Sequence, residues 1–197
     1  MYVTFTRELE GITPIDIAVF RAPNCLYEYN VGDQPSVTSN EVNMVEDQWV
    51  MPQRTEVIFA VAHMHTGAIN VSASVKRAES LYFEEVCASY PVYGKDGSVP
   101  PEPGNEAGHV VKVTYCLSSD GNDGGIPAEL QGGFRNSSLV LEKGDTLRIQ
   151  GYYATGATDL RIYPVPAGPH LGVMSFMYVA FKRDAALSQQ DFELVRA

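Results

Sequence analysis

Glu56-Val57-Ile58-Phe59-Ala60-Val61-Ala62-His63-Met64-His65 is a run of β-branched, aromatic and small apolar residues that ends in two imidazoles. Such a composition favours an extended strand. Side chains of a strand alternate between its two faces, so His63 and His65 project from one side. Val57, Phe59 and Val61 share that parity, which predicts an apolar, core-facing stripe ending in a pair of nitrogen donors. Neutral imidazole is the commonest protein metal ligand, and two on one rigid strand form half of a first coordination shell. The plain alternative is a pair of satisfied or exposed histidines.

Similar runs recur on both sides of this one. Tyr2–Thr6, Ile15–Arg21, Arg54–His65, Ala68–Lys76, Glu85–Tyr90, His109–Cys116, Ser138–Leu141, Thr146–Ala154 and Gly172–Arg183 are each rich in Val, Ile, Tyr, Phe or Thr and bounded by turn residues. About eight or nine strands of this kind predict an all-β fold, an antiparallel β-sandwich of jelly-roll type. The 17 glycines, 12 prolines and 11 tyrosines fit that class better than a helical one. Tyr93–Gly108, with Pro100, Pro101 and Pro103, reads as a long loop, as does the Gly-, Asp- and Asn-rich Ser118–Gly133. Neither a repeat nor a linker divides the 197 residues, so one domain over 1–197 is expected. Within it, 1–53 holds N-terminal strands and a loop, 54–183 the motif-bearing core, and 184–197 a tail. Leu187, Phe192 and Val195 suit a short helix in that tail.

A net charge of −10 argues against nucleic acid, whose phosphates call for clustered Lys and Arg. No apolar run approaches the roughly 20 residues of a membrane span, and the N-terminus carries no signal-peptide core. Of the three cysteines, Cys87 and Cys116 lie at strand edges and are expected to pair, leaving Cys25 over. Asn70-Val71-Ser72 and Asn136-Ser137-Ser138 are glycosylation sequons. Together these features suit an oxidising, extracellular setting, with any leader outside this numbering.

A second segment bears on the imidazole pair. Pro169-His170-Leu171-Gly172-Val173-Met174-Ser175-Phe176-Met177-Tyr178 offers one imidazole and two thioethers at the start of a strong strand. A thioether completing a two-imidazole site selects copper, especially Cu(I), because soft sulfur suits the soft ion. Methionine in a strand is ordinarily core filler. His170 and Met174 would lie about 13 Å apart in an extended chain. They are therefore alternative ligands unless the chain bends, and Gly172 is the residue that would allow it. His109 reads as a core-edge histidine. Asp120 and Asp123 fit neither a calcium loop nor a carboxylate pair. Nucleophile-elbow, phosphate-loop and dinucleotide signatures are missing, and nothing beside Cys25 marks it as a nucleophile.

Five segments taken in order resemble the C-terminal part of the stress-up-regulated nodulin family. They are Val61–Gly67, Cys87–Gly94, Gly104–Gly108 with Cys116, Leu141–Leu147 and His170–Tyr178, within roughly Arg54 to Lys182. That family in turn resembles the C-terminal, jelly-roll half of copper type II, ascorbate-dependent monooxygenases. In those enzymes a His-x-His pair and a later Met hold the copper that activates oxygen. The resemblance implies His63, His65 and Met174 as ligands of one copper ion, with His170 as an alternative. It also implies an ascorbate-type reductant if the protein is catalytic. The enzymes carry a second copper in a separate N-terminal domain, which this chain of four histidines has no room to supply.

The leading expectation is a secreted copper-binding β-sandwich with no catalytic residue identified and its small-molecule or peptide substrate unspecified. A second reading is a non-enzymatic extracellular structural module that works by self-assembly or through an extracellular partner, with Cys25 free for an intermolecular bridge. A third is a cupin-like mononuclear metal enzyme, suggested by His63, His65 and the Pro166-Ala167-Gly168-Pro169-His170 spacing. Thr66–Ser74 contains no Asp or Glu to serve as the acidic ligand that reading needs.

Overall fold

A computed structural model describes residues 15–23, 27–31, 42–94, 108–118, 131–133, 139–155 and 170–182. Fourteen strands run through them. They are β1 (Ile15–Ala22), β2 (Tyr29–Val31), β3 (Val42–Val50), β4 (Thr55–Met64), β5 (Ala68–Lys76), β6 (Glu84–Ser89) and β7 (Pro91–Tyr93) in the first half. The second half holds β8 (Val110–Val113), β9 (Tyr115–Leu117), β10 (Gln131–Gly133), β11 (Leu139–Leu141), β12 (Thr146–Ala154), β13 (His170–Val173) and β14 (Ser175–Lys182). No helix among the described residues is long and apolar enough to cross a membrane.

The strands form a β-sandwich. One sheet runs β1-β14-β4-β9-β10, with β11 also on β4, and the other runs β3-β12-β5-β6. Two short ladders, β13-β2 and β7-β8, flank them. Pairing is antiparallel except between β9 and β10, which run parallel. The core lies between the sheets and includes Val71, Val75, Leu147 and Ile149 from one side, with Phe20, Met177, Val179 and Phe181 from the other. Cys87 on β6 and Cys116 on β9 are disulfide-bonded, with Cα atoms 6.0 Å apart. This is the expected pairing, and it ties the two sheets together.

The sheets approach closely near the histidine end. A Cβ on Gly151 of β12 would stand 2.0 Å from Ser175 Oγ of β14, so only glycine fits there. The small inward residues Ala60 and Ala62 of β4 suit the same close approach.

The stripe Val57-Phe59-Val61 does not all face the core, contrary to the strict alternation expected of it. Val57 pairs with Phe181, whereas Phe59 pairs with Ala180, so a bulge falls between them. One extra residue reverses the parity of everything that follows. Val57 is buried while Phe59 and Val61 are half-buried, and Ala60, Ala62 and Met64 take the inward positions. The bulge therefore sends His63 to the outer face of the sheet.

Predicted strands match well where burial is deep, Ala68–Lys76 and Thr146–Ala154 being reproduced in full. Thr114 interrupts the run expected over His109–Cys116, and Met174 the run expected over Gly172–Arg183. The Leu141–Leu147 segment makes a tight turn closed by Asp145. That buried carboxylate accepts from the amides of Ala78 (3.1 Å) and Glu142 (2.9 Å) and pairs with Arg77 at 2.6 Å. Tyr2–Thr6, Cys25, Asn136 and the tail 184–197 lie outside the described residues.

Candidate metal centre

β4 ends at Met64, and the chain turns through His65, Thr66 and Gly67 into β5, with the amide of Ala68 donating to the His65 carbonyl (3.1 Å). Gly67 has φ +97°, a region L-residues avoid. The imidazole of His170 fills the space beside it: a Cβ there would lie 2.5 Å from His170 Cδ2. Buried tyrosines brace this turn from behind. Tyr93 Oη accepts from the Gly67 amide (3.1 Å) and donates to the Ala68 carbonyl (2.8 Å). Tyr153 Oη accepts from the His65 amide (3.1 Å) and donates to the Met174 carbonyl. Burial raises the pKa of both phenols well above the usual tyrosine value, that of Tyr153 to about 12, so both stay protonated.

On this frame His63 and His65 meet with their Nε2 atoms 3.2 Å apart and their rings 77° from coplanar. An ion about 2.0–2.1 Å from each nitrogen would subtend an angle of about 100–105° between donors at that spacing, close to tetrahedral. Partial burial, then the charge of His65, lowers the His63 pKa, which favours the neutral, ligating imidazole near pH 7. The pair therefore fits a soft or borderline cation. Among the described residues no three His, Cys, Asp or Glu side chains are placed to hold one.

Position 174 offers a thioether. The β4–β14 ladder pairs His63 with Phe176 and Met64 with Ser175, and the His63 and Phe176 rings lie 6.0 Å apart on the outer face. Met174 lies one residue beyond the end of that ladder, and its main chain is linked to that of His65 through the Tyr153 hydroxyl. His170 stands differently. Its Nε2 is 3.1 Å from the Ala154 carbonyl and its ring packs on Gly67. Gly172, with φ +63°, lies within β13, where the pairing with β2 shifts register between His170 and Val173.

All four histidines of the chain line one open cleft of about 560 Å³, whose other walls are Met64, Thr66, Val110, Leu171 and Val173; Met174 is next in the chain to that lining and not part of it. His109, expected at the edge of the core, is exposed on this rim. Its segment is held by Thr66 Oγ1 donating to the Gly108 carbonyl (3.3 Å) and by the Gly94 amide donating to the His109 carbonyl (2.9 Å). Asn70 is half-buried in β5 opposite Tyr152, within a ladder rather than on a loop. Sequence reading missed Tyr93, Tyr153 and Gly67. A glycine two residues past a His-x-His pair was the available signal for the last; nothing local marked the tyrosines, which act across the sandwich.

Fold and site together define a disulfide-crossed β-sandwich that carries an imidazole pair at a strand end. The family model described as Stress up-regulated Nod 19 matches residues 14–132, more than half of the chain. The chain belongs to that family. The matched stretch contains His63, His65, Cys87 and Cys116, and ends before His170 and Met174. No curated protein sequence matches the chain.

Proposed function

We propose that this domain is an extracellular copper-binding module holding one copper ion through His63 and His65, with the thioether of Met174 as the soft third donor. The observation carrying this reading is the 3.2 Å approach of the two Nε2 atoms beside a main-chain link from His65 to Met174. Two imidazoles with a thioether favour copper, and Cu(I) in particular, over zinc or magnesium. The resemblance to the oxygen-activating domain of ascorbate-dependent monooxygenases points the same way. Copper bound there would supply one-electron redox chemistry and a position open to a small ligand. His170, with Nε2 at a carbonyl, is an alternative ligand through Nδ1. An inter-sheet disulfide supports the extracellular assignment, because the cytosol keeps thiols reduced.

Metal analysis of the native protein and of His63→Ala and His65→Ala variants tests this. One copper per chain is expected in the native protein and none in either variant, with unfolding midpoints of the metal-free proteins nearly unchanged because His63 is exposed and His65 only half-buried. Met174→Leu should weaken Cu(I) more than Zn(II). Copper retained in both histidine variants would refute the site.

The structural-module reading has its own observation. Edge strand β1 exposes Ile15 (47%), Ile17 (59%) and Val19 (37%) in a row suited to packing against another chain. Concentration-dependent association that Ile17→Lys abolishes would favour it.

A further inference from the structure

We propose that Tyr153 is a positioning residue that sets the spacing of His65 and Met174 by replacing the β-ladder contact between them. The inference rests on the copper reading above and adds how the second sheet of the sandwich governs that site.

The ladder between β4 and β14 reaches Met64↔Ser175 and stops. One step further, the neighbours would be His65 and Met174. There the hydroxyl of Tyr153 stands between the two main chains, taking the His65 amide proton and giving its own to the Met174 carbonyl. A direct amide–carbonyl contact is about 2.9–3.0 Å long. An inserted oxygen with a bond on each side holds the chains further apart. At this wedge His65 leaves its sheet for the turn, and Met174 joins β13 to β14.

The wedge itself is held firmly. Tyr153 is fully buried and meets the ring of Tyr29 edge-on, with centroids 6.0 Å apart. The hydroxyl of Tyr29 bonds Ser175 Oγ, next to Met174. Ser175 in turn sits on Gly151, two residues before Tyr153, where no Cβ fits. A bulge in the β5–β12 ladder falls beside Tyr153: Tyr152 faces Asn70 whereas Tyr153 faces Ala68. Such bulges re-aim a side chain. The phenol hydroxyl also bonds the Ser175 side chain, and it reaches the two ligand residues through their main chains.

The test is Tyr153→Phe, which keeps the ring and removes the hydroxyl, made in wild type and in Met174→Leu. Hydrogen exchange of the His65 amide, read without metal, should speed up at least tenfold in Tyr153→Phe, with no equal change at Ala68. Cu(I) affinity, from competition with a chromophoric chelator, should fall about 10- to 100-fold, the range for residues supporting a ligand. Zn(II) affinity should fall less. In the Met174→Leu background the Cu(I) effect of Tyr153→Phe should shrink below about threefold, because the two changes remove one interaction. Equal losses in both backgrounds, or for both metals, would overturn the positioning role, as would an unchanged His65 amide. Wild-type protein that binds no copper would sink the copper reading alone. The exchange rates would then decide whether the hydroxyl bridges the two chains.

Discussion

Replacing Cys87 and Cys116 together by alanine tests how much of this fold depends on its inter-sheet bond. The cysteines are 29 residues apart. In the chain-entropy treatment, closing a loop of that length lowers the entropy of the unfolded chain by about 12 cal/mol/K, about 3.6 kcal/mol at 25 °C. Both side chains are buried, so the lost sulfur contacts add to this cost. With a urea dependence of about 2–3 kcal/mol per molar, the midpoint should fall by about 1.2–1.8 M. Reversible urea unfolding followed by tyrosine fluorescence and far-UV circular dichroism measures it, with thiol counting to confirm the bond in wild type. A fall of less than about 0.5 M would refute the reasoning, since the bond would then constrain little of the unfolded chain. Copper binding by the variant should persist where it is folded, because Cys116 pairs with Ala60 of β4, short of the histidines.

Gly67→Ala should destabilise by about 1–4 kcal/mol. Strain at positive φ accounts for about 1–3 kcal/mol and the displaced His170–Ala154 hydrogen bond for about 0.5–1.5 kcal/mol, less a small gain from a stiffer unfolded chain. A loss under about 0.5 kcal/mol in urea titration would contradict that packing. For pH, the lowered pKa of His63 leaves its ring neutral above the ordinary histidine value near 6.5. The stability it contributes is present above that value and is lost as pH falls through the lower, folded one. Copper affinity should therefore be level from about pH 8 to pH 6.5 and fall below, with one to two protons displaced per ion. An affinity still rising steeply above pH 8 would point to a thiolate or amide ligand instead.

Most of the sandwich was legible because buried strands advertise themselves. β5 and β12, each flanked on both sides in its sheet, carry Ile69, Val71 and Val75 and Thr146, Ile149, Tyr152 and Tyr153, without a Pro or a run of charges to interrupt them. β3 did not, although it has nine residues: it is an edge strand paired only with β12, and Glu46-Asp47-Gln48 break its alternation. The parity of the histidine strand misled for a different reason. A bulge is a decision of the sheet, and the pairings of Val57 and Phe59 that reveal it lie more than a hundred residues away, at Phe181 and Ala180. The histidine pair was readable from period two alone. Its supports were not, since Tyr93 and Tyr153 reach the His65–Ala68 turn from other strands.

The division between what binds and what braces decides which experiments can separate function from folding. Across β1, β14 and β4 the outer rows are Ile17-Ala180-Phe59, then Val19-Tyr178-Val61, then Arg21-Phe176-His63. His63 thus ends a row of the outer surface, while its neighbours Ala62 and Met64 point into the core. Ala62 also receives a side-chain bond, its amide donating to Ser89 Oγ at 3.1 Å. An imidazole on the outer face can be truncated without opening a cavity, so loss of metal on its removal reports on coordination. The phenols beneath cannot be truncated that way, because each satisfies two main-chain groups in a dry interior. Ligand variants that fold and fail to bind, beside phenol variants in which stability and binding change together, would locate the chemistry on the surface row and its geometry in the core.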